Sequence, residues 1–269
     1  MTEYKTRILS TRPLETALLE QAAGSNILID TLPFIATEPL MEETLHRRLR
    51  DLSRQPLVAV FTSMNAVEAV ARHLEAVGPH DVVAGSPGTL PWRIFCIGSA
   101  TQQLVRKNFG GDHHIAGTAA SAAALAGTII GWKASETEQH ADTKDAPVRE
   151  VFFFCGDQRR DELPEKLQQQ GIRVNEVVVY KTTRTPHKVE QAYDGIVFFS
   201  PSAVHSFFQV NTIPAGTRLF AIGQTTADTI RTYSPNQTIL SGSPEKEALI
   251  RQVIDYFQNH QTIVSHNKP

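Results

Sequence analysis

The chain has 269 residues, enough to bury a substantial core in one large domain or two small ones. Its 26 Lys and Arg against 28 Asp and Glu give a formal net charge of −2, which excludes a chain-wide basic surface for nucleic acid. No apolar run approaches the roughly 20 residues that span a bilayer, so a membrane is not an expected partner either.

The N-terminus is polar and leads straight into an apolar run, without the pattern of a signal peptide. From there, strand-like runs rich in Val, Ile and Phe recur at Thr6–Ser10, Asn26–Asp30, Leu57–Phe61 and Trp92–Ile97. They continue at Glu150–Cys155, Arg173–Tyr180, Gly195–Phe199 and Thr217–Ile222. Little alternation marks them, as expected for strands covered on both faces. Between them, Val67, Val70, Ala71, Leu74 and Val77 trace one helical face, and so do Leu249, Ile250, Val253, Ile254 and Phe257. Strands alternating with helices predict an α/β fold of doubly wound parallel sheets. The polar stretch 134–146 reads as a mobile loop, and the polar tail after Gln258 as frayed. Cys96 and Cys155 lie in apolar runs and read as buried small hydrophobes in a reducing compartment, with a disulfide or a catalytic thiol as the alternatives.

The chain also repeats itself. Phe61-Thr62-Ser63-Met64-Asn65-Ala66-Val67 matches Phe198-Phe199-Ser200-Pro201-Ser202-Ala203-Val204. Phe95-Cys96-Ile97-Gly98 followed by Thr101 matches Phe220-Ala221-Ile222-Gly223 followed by Thr226, and Ile115–Thr118 matches Leu240–Ser243. Gly24 and Pro39 align with Gly171 and Pro186 at one separation, since 171−24 and 186−39 are both 147. Two copies of one unit predict two sheets.

Ligands of parallel α/β sheets bind beyond the carboxyl ends of the strands, where helix N-termini point. Ser63, Asn65, Ser200 and Ser202 follow strands and precede helices; Gly98 and Gly223 open the helices that carry Thr101 and Thr226. Each is an ordinary helix cap when taken singly. Their recurrence in both halves suggests two anion-binding rims facing one polyanion, because amides and hydroxyls at a helix N-terminus hold carboxylates without net positive charge. Gly156-Asp157-Gln158-Arg159-Arg160 has Thr11-Arg12-Pro13 as its counterpart, and Arg12, Arg159 and Arg160 are either acid-pairing groups or solvated surface arginines. Asp157 is unhelpful to a carboxylate and reads as a cap of the next helix.

Known signatures for other chemistry are missing: no Gly-x-Gly-x-x-Gly, no phosphate-binding loop ending in Gly-Lys-Ser/Thr, no His-Glu-x-x-His and no Gly-x-Ser-x-Gly. His113 and His114 read as loop or strand-edge residues rather than ligands. By elimination the site positions a substrate without cofactor or metal.

In order and spacing these runs resemble the uroporphyrinogen-III synthase family over nearly the whole chain. The runs are Ser10–Pro13, Phe61–Ser63 with Asn65–Val67, Ile97-Gly98 with Thr101, Gly156 with Arg160, Leu163 and Pro164, Val179–Thr182, Phe198–Val204 and Ile222–Ala227. The resemblance implies two α/β lobes joined by a two-stranded connector. One lobe would be 1–32 with 186–269, the other 38–179, and the crossing strands 33–37 and 180–185. Pro39 and Pro186 would mark the hand-over from those strands to helices.

The resemblance further implies a linear tetrapyrrole substrate with eight carboxylates, hydroxymethylbilane, held between the lobes. Loss of its terminal hydroxyl gives an azafulvene, attack from ring D forms a spiro intermediate, and reclosure inverts ring D to give uroporphyrinogen III. No cofactor is involved, and a cytoplasmic monomer is expected. Tyr180 takes the place of the family's connector tyrosine and would assist departure of the hydroxyl as a protonated phenol. Thr11, Arg12, Ser63, Asn65, Gly98, Thr101, Gly156, Ser200, Ser202, Gly223, Thr225 and Thr226 would bind the substrate. Two rivals differ in class: a two-lobed tetrapyrrole-binding regulator without turnover, and a two-lobed transferase using a nucleotide sugar.

Overall fold

A computed structural model of the chain describes residues 5–75, 90–111, 114–139, 150–243 and 245–266. Its contacts divide the chain into two compact units, residues 1–36 with 183–269 and residues 37–182.

In the first unit, β1 (Thr6–Ser10), β2 (Ile27–Thr31), β9 (Gly195–Phe198), β10 (Arg218–Ala221) and β11 (Thr238–Leu240) form a sheet of order β11-β10-β9-β1-β2. Neighbouring strands in it run parallel. Successive strand residues point to opposite faces, and here both faces are covered. Ile8, Val197 and Phe220 pack with α1 (Thr16–Gly24) and α9 (Lys246–His266). Leu9, Ile196, Phe198, Leu219 and Ala221 pack with α7 (Pro201–Phe208) and α8 (Gln224–Tyr233).

The second unit holds β3 (Ile35–Pro39), β4 (Leu57–Phe61), β5 (Trp92–Ile97), β6 (Ile115–Ala119), β7 (Glu150–Gly156) and β8 (Arg173–Arg184), in the order β3-β8-β7-β4-β5-β6. Ala59, Phe61, Ile94, Cys96 and Phe154 face α2 (Glu43–Ser53), α3 (Met64–Glu75) and α4 (Ser99–Phe109). Val58, Val60, Phe95, Phe153 and Cys155 face α5 (Ala122–Gln139) and α6 (Glu162–Gln169). Phe154 anchors this core, its ring stacked 5.1 Å from Phe61 and 5.4 Å from Trp92. Trp92 also donates its indole N–H to the Leu52 carbonyl at 2.9 Å, so its polar atom is satisfied inside the core.

The repeat is structural. Numbered within its unit, the first sheet has the order 5-4-3-1-2; β8-β7-β4-β5-β6 has the order 2-1-3-4-5 when counted from β7. The two are one doubly wound order. The strand β3 is extra. Leu40 N donates to Val179 O and Thr185 N to Phe34 O, so β3 and β8 run antiparallel. The chain passes from one unit to the other within β3 and returns within β8.

Four details differ from what the sequence predicts. Tyr180 does not begin a separate strand: β8 runs unbroken from Arg173 to Arg184, because its ladder passes from β7 to β3. Pro186 leads into irregular backbone to Asp194 rather than a helix, and Asn211 holds that segment by accepting from Val189 N and donating to His187 O. The expected loop at 134–146 is helical as far as Gln139, since α5 continues its turns past Trp132; 140–149 lies outside the described residues. The α9 backbone stays helical to His266, past the start of the polar tail, and 267–269 lies outside the described residues. Val77, His113 and most of 78–91 are likewise outside them. His114 is buried just before β6, its Nδ1 3.4 Å from the Trp92 carbonyl oxygen.

Both cysteines are buried and free, and burial pushes their thiols up, Cys96 to about 11 and Cys155 to about 12. They serve as core atoms, with too little thiolate to be nucleophiles.

Candidate active site

A doubly wound sheet opens a crevice where neighbouring strands send their following helices to opposite faces. In the first unit this happens between β1, followed by α1 on one face, and β9, followed by α7 on the other. In the second it happens between β7, followed by α6, and β4, followed by α3. All thirteen residues singled out from sequence lie at the carboxyl end of a strand, in the segment that follows one, or, for Tyr180, on β8 beside the end of β7.

In the first unit, Thr11 and Arg12 follow β1, and Ser200 and Ser202 follow β9. Thr11 is buried, and both its N–H (3.0 Å) and its hydroxyl (2.8 Å) donate to the Val197 carbonyl. It ties β1 to β9 and presents no free donor. Arg12 is exposed. Ser200 caps α7, its Oγ accepting from Ala203 N at 3.2 Å, with Pro201 at the first helical position. Gly223 starts α8, where Thr225 is exposed and Thr226 is wholly buried. Thr226 Oγ1 has no hydrogen-bond partner among the described residues, an unusual state for a buried hydroxyl.

The second unit carries the tighter arrangement. Gly98 starts α4 with φ of 75°, a left-handed value that glycine adopts without penalty, and Thr101 is buried in the first turn. Ser63 caps α3 by accepting from Ala66 N at 3.2 Å, and Asn65, half-buried, stands in the same turn. The Ser63 hydroxyl in turn donates to the Tyr180 hydroxyl at 3.2 Å.

Tyr180 reaches that position through a slip in the ladder: Cys155 pairs with Val178 but Gly156 pairs with Tyr180, so β8 carries one extra residue. Its ring lies against Gly156, where an added Cβ would be 2.5 Å from the ring Cζ. Only a residue without a side chain leaves room for the phenol. Burial raises the Tyr180 phenol above its ordinary value of 10.0, which the Ser63 hydrogen bond partly offsets; the ring stays protonated at neutral pH.

Asp157 does not cap α6. Its amide donates to the Tyr180 carbonyl at 3.1 Å, and its Oδ1 accepts from Thr182 N at 2.8 Å. Gln158 Nε2 adds a bond to Thr182 O at 2.9 Å. The loop after β7 thus clamps the backbone from the Tyr180 carbonyl to Thr182, which explains an acid at this place. Of the two following arginines, Arg159 is engaged by Glu176 and Asp161, while Arg160 is exposed. Sequence reasoning misses the link from Ser63 to Tyr180, which joins residues 117 apart; only Gly156 at the end of an apolar strand hints at a close approach.

Among the described residues no group of His, Cys, Asp and Glu could hold a metal ion, and no helix is long and apolar enough to cross a membrane.

The chain is 28% identical over 222 residues to the uroporphyrinogen-III synthase of Saccharomyces cerevisiae, covering 75% of this chain and 76% of that protein. It is 23% identical over 240 residues to the enzyme of the same name from Schizosaccharomyces pombe, covering 86% and 88%. Among solved structures, a mutant uroporphyrinogen III synthase of Thermus thermophilus superposes with a TM-score of 0.57 at 14% identity, over 93% of this chain and 98% of that one. The Helicobacter pylori synthetase gives 0.55 at 15%, over 93% and 99%. At such identities these two speak for the fold. The family model described as uroporphyrinogen-III synthase HemD matches residues 16–251, and the chain belongs to that family.

Proposed function

We propose that this chain closes hydroxymethylbilane to uroporphyrinogen III with inversion of ring D, releasing water, as a cyclising lyase of the cytoplasm. Family membership sets the reaction. The observation that carries it for this chain is the seat of Tyr180: a protonated, half-buried phenol whose oxygen accepts from Ser63, leaving its own proton to donate elsewhere. That proton goes to the departing hydroxyl of the substrate, which leaves as water. The tyrosine recovers a proton from the pyrrole position that loses one on ring closure. No net redox change occurs, and the residues need only hold and orient.

Holding a flexible tetrapyrrole in one reactive arrangement is an orientation task. Each unit offers helix-start amides to carboxylates, at α7 and α8 in one and at α3 and α4 in the other; Thr225 is exposed in the first turn of α8, and Arg12 and Arg160 are exposed ahead of α1 and α6. With a net charge of −2, capture depends on these local groups. A non-catalytic binder would need no seated phenol, so the seat favours turnover.

The test is Tyr180→Phe. Turnover should fall about a hundredfold or more, the scale of a lost general acid, with the melting temperature close to wild type. Undiminished turnover removes Tyr180 from the chemistry.

A further inference from the structure

We propose that Ser63 is a positioning residue for Tyr180: its hydroxyl orients the phenolic proton toward the substrate, and it does not itself bind a substrate carboxylate. The inference rests on the reading of Tyr180 as proton donor and adds the group that aims it.

The polarity of three hydrogen-bonding groups carries the argument. Ala66 N–H has only a proton to offer, and it donates to Ser63 Oγ at 3.2 Å. Ser63 Oγ, held in place by that amide, stands 3.2 Å from the Tyr180 oxygen and gives its own proton to it. A phenol oxygen that accepts one hydrogen bond directs its own O–H away from that donor. Ser63, placed by the backbone amide at the start of α3, in this way sets the direction in which Tyr180 can donate. Were the bond reversed, with tyrosine donating to serine, the phenolic proton would face the protein and be lost to the reaction.

The surroundings permit little else. Gly156 lies against the ring and Asp157 holds the backbone from the Tyr180 carbonyl to Thr182, so the hydroxyl is the part of the side chain that turns most readily. Ser63 controls that freedom. Because its donor and one acceptor site are in use, it offers a carboxylate nothing comparable to a free hydroxyl.

Ser63→Ala removes the orienting donor and the cap together; Ser63→Gly removes the donor but keeps a residue tolerated at a helix start; Ser63→Thr keeps both functions. Each is to be made in wild type and in Tyr180→Phe, and assayed for type III product from hydroxymethylbilane alongside thermal melting. In wild type, Ser63→Ala and Ser63→Gly should lower kcat about five- to tenfold, the worth of one hydrogen bond, with KM within about twofold. Ser63→Thr should restore the rate. In Tyr180→Phe, neither Ala nor Gly should lower kcat further.

A mere cap would shift the melting temperature and leave kcat alone, and a carboxylate ligand would raise KM in both backgrounds; either result overturns the proposal. If Ala and Gly both lower kcat as much in Tyr180→Phe as in wild type, Ser63 acts independently of the tyrosine and the proposal also fails. Should wild type be active and Tyr180→Phe be unimpaired, it is the assignment of Tyr180 that falls, a result read separately from the Ser63 variants.

Discussion

Replacing Gly156 with alanine adds a single methyl, and its place is defined. Its carbon would lie 2.5 Å from Tyr180 Cζ, 2.6 Å from Cε2 and 2.9 Å from the hydroxyl oxygen. Carbon atoms in contact prefer about 3.5–4.0 Å, so the ring must withdraw by about 1 Å or the strand must shift. Asp157 and Thr182 hold the strand, so the ring moves and the 3.2 Å bond to Ser63 breaks. Overpacking of this kind costs about 1–3 kcal/mol, or a fall in melting temperature of roughly 3–10 °C for a protein of this size. Misplacing the acid by 1 Å should also slow type III formation by about a hundredfold.

The decisive comparison is a double-mutant cycle with Tyr180→Ala, which removes the ring that the methyl strikes. Gly156→Ala should then cost little, giving a coupling energy of at least about 1 kcal/mol by melting or urea denaturation. If Gly156→Ala destabilises equally with and without the ring, the close approach does not govern the site and the reasoning about the seat is wrong.

Thr226→Val removes a buried hydroxyl that lacks a partner, so stability should rise by about 1 kcal/mol; if that hydroxyl serves the substrate, turnover should fall at the same time, and a destabilised variant would show that it is satisfied after all. Cys96 and Cys155, held up at about 11 and 12 by burial, should react with a thiol reagent at pH 8 only as fast as the protein opens; rapid labelling of the native protein would refute this. Hydrogen bonds from Asn175 and Arg173 lower Glu150 below its ordinary 4.5, so its contribution is present above pH 4.5 and is lost as the pH falls through the lowered value. Glu150→Gln should therefore flatten the acid limb of the stability curve slightly, because the pair is partly exposed; an unchanged limb would count against it.

Apolar runs make the sheets legible from sequence, since a strand covered on both faces carries its pattern in its own residues. Leu57–Phe61 and Trp92–Ile97 have the same limits in sequence and fold. The repeated pairs Phe61 with Phe198 and Gly98 with Gly223 likewise locate the strand ends, because each copy turns from strand to helix at the same place. What escapes depends on partners far along the chain. The extra residue in β8 arises from its register against β7, and neither strand shows it alone. Asp157 looks like a helix cap in sequence because the groups it holds, Tyr180 and Thr182, belong to another strand. Burial of Thr101 and Thr226 likewise follows from how α4 and α8 pack, where the sequence offers them only as hydroxyls near helix starts.

The most direct test of the proposed activity is the isomer ratio of the porphyrinogen formed from fresh hydroxymethylbilane, with and without this protein. Unaided, the substrate closes to the symmetric type I ring. With the folded protein the product should be type III. A product that stays entirely type I would contradict the proposed activity.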